Sequence, residues 1–400
     1  MILNDYNQFN GRHWETGSVA NYLAYHGVKA PHTGKPYSEA FLLGVSGGVV
    51  MGYFSFDYKG YDPSTRILTR NTFDPLDTML SRLGVVQHRQ QTGSAVRGVQ
   101  NLLEALAEGN PAIVWADHFS LPYTANDFDE QMWAMFPILV YGYDEAANQV
   151  WIADRARVPL MIGTDTLGVA RGRVKKDKNR LLTIDPPDPN KLSAAVQAGI
   201  WDCINLYTEK PPKGSANNFG LKAFQHWQKL LTKPRTRGSW AQVFPHGREM
   251  VAGLLSTYGD IMHFGKDSPA ERNVYADFLE EAALLLDRPD LKGVAGKFRA
   301  TVPAWEALCT ALLPDDVSPF RAIKTLTDEN HYLFLNQGGA ATVQIRANKQ
   351  AIAELLAQME TEFPLDDMAV TAMRENIAAH VAKVHDLEAE AVTDLKRVMS

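Results

Sequence analysis

Hydrophobic positions in the first half of the chain alternate between helical and strand spacing. Apolar residues recur at helical spacing near 16–26, 38–43, 75–83 and 94–108. Three short apolar runs typical of strands follow at 112–116, 137–141 and 149–153, and a turn-forming segment separates the last two. Short helices followed by neighbouring antiparallel strands predict an α+β fold for this half of the chain.

The second half of the chain is dominated by helical spacing. Two proline-rich segments, 185–189 and 210–215, interrupt the pattern, and beyond the second one nearly every segment reads as a helix. A chain of 400 residues exceeds one ordinary hydrophobic core. We therefore predict two domains, a mixed domain over residues 1–210 and an all-helical domain over residues 215–400.

Composition and charge narrow the class of protein. Apolar residues make up 45% of the chain and charged residues 22%, which is ordinary for a globular protein. The net charge of -6 argues against nucleic acid as the main partner. No apolar run approaches the ~20 residues needed to cross a bilayer, and the first residues lack the features of a signal peptide. We expect a cytoplasmic protein with no membrane partner.

The two cysteines give no sign of a disulfide framework or a metal site. Cys309 lies in an apolar helical pattern, and Cys203 lies in segment 200–207, which reads as a strand or connector. Both are expected to be buried structural residues. Because no Cys and His cluster has metal-ligand spacing, we predict neither a metal site nor a cofactor.

The segment 9–16, Phe-Asn-Gly-Arg-His-Trp-Glu-Thr, reads as a loop that leads into the first helix. Thr16 or Ser18 is the expected N-cap, and Glu15 lies beside the positive helix end. A helix N-terminus lowers the pKa of a thiol and suits a nucleophile.

This opening segment resembles the Arg-His-Cys-Glu-Thr motif of the butirosin biosynthesis protein H family. Members of that family are papain-like acyltransferases, similar to peptidase C39 domains, whose Cys carries the acyl group. Further segments resemble the family in the same order: 37–48, 114–123, 141–144, 151–154 and, for its helical C-terminal domain, 274–286. The resemblance implies a papain-like N-terminal domain with an antiparallel sheet, followed by the family's helical domain.

The resemblance also implies that the family's catalytic residues are replaced. Trp14 stands at the position of the Cys, Phe136 at that of the His, and Asp154 at that of the Asp. Because an indole and a phenyl ring cannot act as nucleophile and base, transfer through a Cys is not expected. Two interpretations remain: a scaffold that kept its cleft for binding, or a cleft that performs acid–base chemistry without a covalent intermediate.

Polar residues near the predicted cleft supply the candidates for that chemistry. His118, Asp117 and Asp154 are the candidate catalytic residues, although each could instead be structural. Neighbouring side chains on a strand point to opposite faces, so His118 and Asp117 can both enter the cleft only if the strand has ended. The candidate substrate-binding residues are Arg12, His13, Trp14, Glu15, Tyr123, Phe136 and Arg155.

Members of the family act on aminoacyl groups held by small acidic carrier proteins, and the resemblance therefore implies a carrier-protein partner. We predict carrier docking at the basic residues Arg171, Arg173, Lys175 and Lys176, although a solvated loop is the alternative. A companion subunit or a homodimer is a further expected partner.

The resulting hypothesis is an enzyme of natural-product biosynthesis that acts on a carrier-tethered amino-acid derivative. One form of its reaction is an aziridine-type ring closure in which Arg12 or Arg155 holds the anionic leaving group. The alternatives are a non-catalytic substrate-binding or carrier-binding subunit, and aminoacyl transfer that needs no Cys.

Overall fold

A computed structural model describes residues 1–264 and 269–400. The helices in these ranges are α1 (Trp14–Tyr25), α2 (Glu39–Val45), α3 (Pro75–Arg82), α4 (Ala95–Ala107), α5 (Thr164–Gly172), α6 (Leu192–Thr208), α7 (Gly220–Thr232), α8 (Trp240–Val243), α9 (Gly247–Met262), α10 (Arg272–Leu285), α11 (Leu291–Leu312), α12 (Ser318–Gln337), α13 (Thr342–Gln358) and α14 (Asp367–Met399). The strands are β1 (Val49–Phe56), β2 (Ser64–Arg70), β3 (Gln87–Gln90), β4 (Ala112–Asp117), β5 (Met135–Asp144), β6 (Gln149–Ala153), β7 (Leu160–Ile162) and β8 (Leu181–Ile184). This is the predicted α+β fold, with antiparallel sheets in the N-terminal region and a mostly helical C-terminal part.

By internal contacts the chain divides into two interleaved units. The first comprises Met1–Leu42, Met79–Leu192 and Glu329–Asn348. The second comprises Leu43–Thr78, Ser193–Asp328 and Lys349–Ser400. The predicted domain boundary at residues 210–215 follows α6, inside the second unit, and the two-domain assignment stays a prediction.

The first unit is built on a six-stranded antiparallel sheet with the strand order β3-β8-β4-β5-β6-β7. Strand β4 is buried along its whole length because it lies inside the sheet and its side chains are almost all apolar. Helix α4 adds Leu102 and Leu106 to the same core as Val114 and Ile152. Ser94 caps α4 by accepting a hydrogen bond from the backbone N–H of Arg97, 3.3 Å away.

Strands β4 and β5 position the candidate site at one end of the sheet. Ala116 pairs with Phe136, and Asp117 pairs with Met135 at the last position of the ladder. Helix α1 packs against β5, and the Ser18 hydroxyl donates a 3.4 Å hydrogen bond to the Pro137 carbonyl. The first turn of α1 is thereby held beside the start of β5.

The second unit contains the β1–β2 hairpin and the helices α7–α11 and α14. Helix α11 packs against α10 and α14, and α7 packs against α14 and β1. The reading of segment 200–207 as a strand or connector is wrong, because Cys203 lies within α6. Both cysteines are buried, as predicted.

None of the helices in the described ranges combines the length and hydrophobicity needed to cross a membrane.

Candidate functional site

A single carboxylate organises the loop before α1. Glu39 accepts hydrogen bonds from the backbone N–H groups of Arg12 and His13, at 2.8 and 2.9 Å, and from the Thr16 hydroxyl at 2.9 Å. Glu39 is buried, and its charge lies at the positive end of the helix. The N-cap residue is His13, which supplies no side-chain cap, so the expectation that Thr16 or Ser18 is the N-cap is wrong.

Trp14 is the first residue of α1 and lies against the start of β5. Its indole stacks on the phenyl ring of Phe136 with a centroid separation of 3.9 Å and an interplanar angle of 11°. The His118 ring meets both rings edge-on, at 5.9 Å from the Trp14 centroid and 6.1 Å from the Phe136 centroid. Stacked and edge-to-face arrangements are those that aromatic rings favour.

Arg155 covers the other side of the indole. Its Cζ lies 4.3 Å from the Trp14 centroid and 5.0 Å from that of Phe334. Because Phe136 already covers one face of the indole at 3.9 Å, the guanidinium takes the opposite face. These four side chains are stacked in the order Phe136, Trp14, Arg155, Phe334, and we call this set the aromatic column. Its cation–π contacts restrain the guanidinium in one orientation.

Asp154 and Tyr123 anchor the column from the side. Asp154 Oδ1 is 3.2 Å from Arg155 Nε, and Oδ2 accepts a 3.1 Å hydrogen bond from the Tyr123 hydroxyl. Burial raises the pKa of Tyr123 well above its ordinary value, so this hydroxyl is a donor at neutral pH. Arg155 itself has a positive φ of 46°, a conformation that costs energy in a non-glycine residue. Asp154 therefore orients a guanidinium, whereas the family's Asp would orient an imidazole.

The backbone changes from strand to turn between Asp117 and His118, so the two residues belong to different elements. The strand ends at Asp117, and a 3₁₀ turn begins at His118. Asp117 is fully buried and accepts hydrogen bonds from the Ser120 hydroxyl at 2.6 Å and the Ala134 N–H at 2.8 Å. Its Oδ2 also lies 3.8 Å from Arg173 Nε. These contacts give the Asp117 carboxylate a role in holding the following loop, and its assignment as a catalytic base stays a prediction.

Arg12 is likewise a structural residue. Its buried guanidinium donates to the carbonyls of Phe9, Gly11 and Arg155, at 2.9, 2.7 and 3.2 Å. These bonds tie the loop before α1 to the end of β6. All three bonds are made by Nη1, and the assignment of Arg12 to a leaving anion stays a prediction.

The predicted residues that flank Trp14 pair with each other. His13 Nδ1 lies 2.9 Å from Glu15 Oε2, where His13 is buried and Glu15 is partly exposed. The structure thus brings most of the predicted site residues together around one end of the sheet: His13, Trp14, Glu15, His118, Tyr123, Phe136, Asp154 and Arg155.

The basic segment presents less charge at the surface than its sequence suggests. Arg171 is buried and donates to the carbonyls of Gly98 and Asn179, and burial lowers its pKa to about 10. Arg173 donates to the carbonyls of Asp129 and Glu130. Arg171 and Arg173 are therefore engaged within the protein, and carrier docking at these two residues stays a prediction.

Lys175 and Lys176 lie in a 3₁₀ turn and are exposed. They are the part of the predicted carrier-docking surface that remains accessible. No group of three or more His, Cys, Asp or Glu side chains within residues 1–264 and 269–400 is arranged to hold a metal ion.

The fold and the site define an α+β domain whose first helix presents an aromatic residue to the end of an antiparallel sheet. Residues 13–155 match the family model described as butirosin biosynthesis protein H, N-terminal. The matched range begins one residue before Trp14 and ends at Arg155, so it includes the column except Phe334. The predicted resemblance is confirmed over this range, and it indicates a function related to antibiotic biosynthesis. A search of curated proteins gave no match to the chain.

Sequence reasoning missed two members of the site. Glu39 lies in segment 37–48, which resembles the family, but nothing in that segment indicates that its carboxylate binds the N–H groups at the start of α1. Phe334 lies on α12, nearly 180 residues after Arg155, and no local signal connects the two. Contacts between distant segments of one unit are the kind of information that a single sequence does not carry.

The position of Trp14 predicts a reactive thiol when a cysteine is introduced there. We expect the Trp14→Cys variant to be alkylated by iodoacetamide at neutral pH, because a helix N-terminus stabilises a thiolate. Cys203 and Cys309 should stay unmodified, since burial raises the pKa of Cys203 to about 12 and also raises that of Cys309. Mass spectrometry of the native protein should therefore find one added group in the variant and none in the wild type.

The matched control is Val343→Cys, because Val343 is among the most exposed apolar residues. Its thiol should titrate near the ordinary value, and the thiol introduced at Trp14 should titrate below it. Equal apparent pKa values from the pH dependence of alkylation would contradict the assignment of Trp14 to a nucleophile position.

Proposed function

We propose that the protein acts in natural-product biosynthesis on an amino-acid derivative tethered to a small acidic carrier protein. In this proposal His118 is the acid–base group, and no covalent intermediate forms on the protein. The observation that carries it is the stack of Trp14 on Phe136, with the imidazole of His118 at its edge. The stack leaves neither a thiol nor a second imidazole at those two positions.

We assign proton transfer to His118, which is partly exposed, whereas His13, the other imidazole of this cluster, is buried beside Glu15. An imidazole titrates near neutral pH, so it can both accept and return a proton. Asp117 is hydrogen-bonded to the following loop, and Asp154 is shared between Arg155 and Tyr123. His118 is partly exposed, so a substrate can reach it.

Arg155 is the residue suited to an anionic group of the substrate. In the part of the chain that the structure describes, its two terminal nitrogens form no hydrogen bond, while its Nε is held by Asp154. An arginine fork of this kind binds a carboxylate or a phosphate through both nitrogens. An aziridine-type ring closure fits this pair of residues: the substrate amine attacks carbon, the bond to the leaving group breaks, the leaving anion takes the electron pair to Arg155, and His118 takes the amine proton.

Aminoacyl transfer without a Cys is the alternative reaction. An amine would attack the carrier thioester directly, His118 would take its proton, and the carrier thiolate would leave. A non-catalytic binding subunit is the second candidate function. It is favoured by the packed aromatic column and by the structural use of Asp117, which leave few free polar groups for chemistry.

The decisive experiment compares His118→Gln with the wild type on carrier-tethered substrates loaded by the enzymes of neighbouring genes. We expect turnover to fall by about 100-fold or more, because general acid–base groups contribute at least this much. Binding of the loaded carrier should stay unchanged, as measured by titration calorimetry.

His88→Gln is the matched control, since His88 is an exposed histidine on β3 paired with Asp185. Turnover that is equal in His118→Gln and wild type would reject the acid–base role. Tight carrier binding with no turnover, with or without a companion subunit, would favour the binding-subunit function.

A further inference from the structure

A cavity of about 300 Å³ lies beside the 3₁₀ turn that follows β4. Phe119 from that turn and Phe128 from the following loop supply aromatic surface. Helix α5 contributes Thr166, and α13 contributes Arg346. Asp127 completes the polar part of the lining. All of these residues belong to the first unit.

Two opposite charges line this cavity without serving the fold. Within residues 1–264 and 269–400, the side chain of Arg346 forms no hydrogen bond or ion pair, and the same is true of the side chain of Asp127. They also form no ion pair with each other, although both line the same space. Charged groups placed in this way are available to a ligand, and hydrogen bonds to charged partners are the stronger class.

The two opposite charges of the cavity lining favour a small zwitterion as the ligand. A guanidinium binds a carboxylate, a carboxylate binds an ammonium group, and neither charge of the ligand is then left uncompensated. The volume is at the lower end of ligand pockets, which suits a molecule of amino-acid size. Phe119 and Phe128 offer an apolar surface for a side chain.

We propose that this cavity binds a free α-amino acid, with its carboxylate on Arg346, its ammonium group on Asp127 and its side chain against the two phenylalanines. The α-carboxyl group of a carrier-tethered aminoacyl group is part of the thioester, so a ligand with a free α-carboxylate is distinct from the substrate considered above. The amino-acid site does not depend on acid–base chemistry at His118.

The test uses L-phenylalanine as the probe, with 3-phenylpropionate and 2-phenylethylamine as analogues that each carry one of its two charges. Ligand-observed NMR and titration calorimetry on the full chain measure the affinities. We expect L-phenylalanine to bind at least about tenfold more tightly than either analogue, because each lost charged hydrogen bond costs about that factor.

Two variants locate the charges. Arg346→Gln should weaken binding of L-phenylalanine and 3-phenylpropionate by about tenfold and leave 2-phenylethylamine unaffected. Asp127→Asn should weaken L-phenylalanine and 2-phenylethylamine instead. Because neither side chain has a partner in the described structure, both variants should unfold at the wild-type temperature.

Arg321→Gln is the matched control and should bind like the wild type, because Arg321 is an exposed arginine on α12 whose side chain has no partner among the described residues. Failure of L-phenylalanine to bind at millimolar concentration would overturn the proposal. Equal affinity for L-phenylalanine and 3-phenylpropionate, unchanged by Asp127→Asn, would also overturn it and would indicate a carboxylate site. Neither result bears on turnover by His118, so the two proposals fail separately.

Discussion

Replacing Glu388 with alanine is expected to lower the free energy of unfolding by about 3–5 kcal/mol. Glu388 is fully buried on α14, and its Oε1 accepts hydrogen bonds from Arg272 Nε at 2.6 Å and Trp305 Nε1 at 2.8 Å. Its Oε2 accepts from the Tyr207 hydroxyl at 2.6 Å and from Arg272 Nη2 at 3.1 Å. The variant leaves the guanidinium of Arg272 buried without a counter-charge, which is the costly state. Urea denaturation followed by circular dichroism measures the change.

The double variant Arg272→Met with Glu388→Leu separates the charge effect from lost packing. Removing both charges should restore part of the stability, because the desolvation cost of the pair disappears with it. Glu280→Ala breaks an exposed ion pair with Arg299, whose charged atoms are 2.6 Å apart, and should cost only about 0.2–1 kcal/mol. A loss below about 1 kcal/mol for Glu388→Ala would show that Arg272 does not depend on it.

The elements that a periodic pattern marks were predictable from the sequence. The segment 94–108 has apolar residues at helical spacing after a capping serine, and the structure has α4 there. For segment 200–207 the prediction of a strand or connector is wrong. Its aromatic and β-branched residues favour strands, but the segment lies in α6. Its buried positions Ile200, Cys203, Ile204 and Tyr207 nevertheless have the 0, 3, 4, 7 spacing of a helix. Propensity and periodicity disagreed, and periodicity was correct.

The candidate site could be predicted only as far as motif order reaches. The order of the motifs predicts that Trp14 lies near Phe136 and that Asp154 lies at the end of a strand. The structure has both arrangements, with Asp154 directly after β6. The internal contacts of Arg12 could not be predicted, because its partners are backbone carbonyls of segments whose paths a sequence does not specify. A run of basic residues such as the one around Arg171 predicts a positively charged surface only when its side chains have no hydrogen-bond acceptors inside the protein.

Trp14→Ala is expected to lower the free energy of unfolding by about 3–5 kcal/mol, as for other buried large-to-small changes. The indole is nearly buried between Phe136 and Arg155, so its removal opens a cavity and ends both contacts. Trp14→Phe keeps an aromatic ring in the aromatic column and should cost less than half as much. Chemical denaturation measured by near-ultraviolet circular dichroism gives both values.

A double-mutant cycle between Trp14→Ala and Arg155→Met then tests the aromatic column itself. If the guanidinium rests on the indole as its 4.3 Å separation indicates, the two changes should be coupled by about 0.5–2 kcal/mol. The same cycle with Arg157→Met, an exposed arginine of the same segment that donates to Asn336, should show no coupling. Additive effects for Arg155 would mean that Trp14 is stabilised by packing against Phe136 alone, and the orientation of Arg155 toward a substrate anion would lose its physical basis.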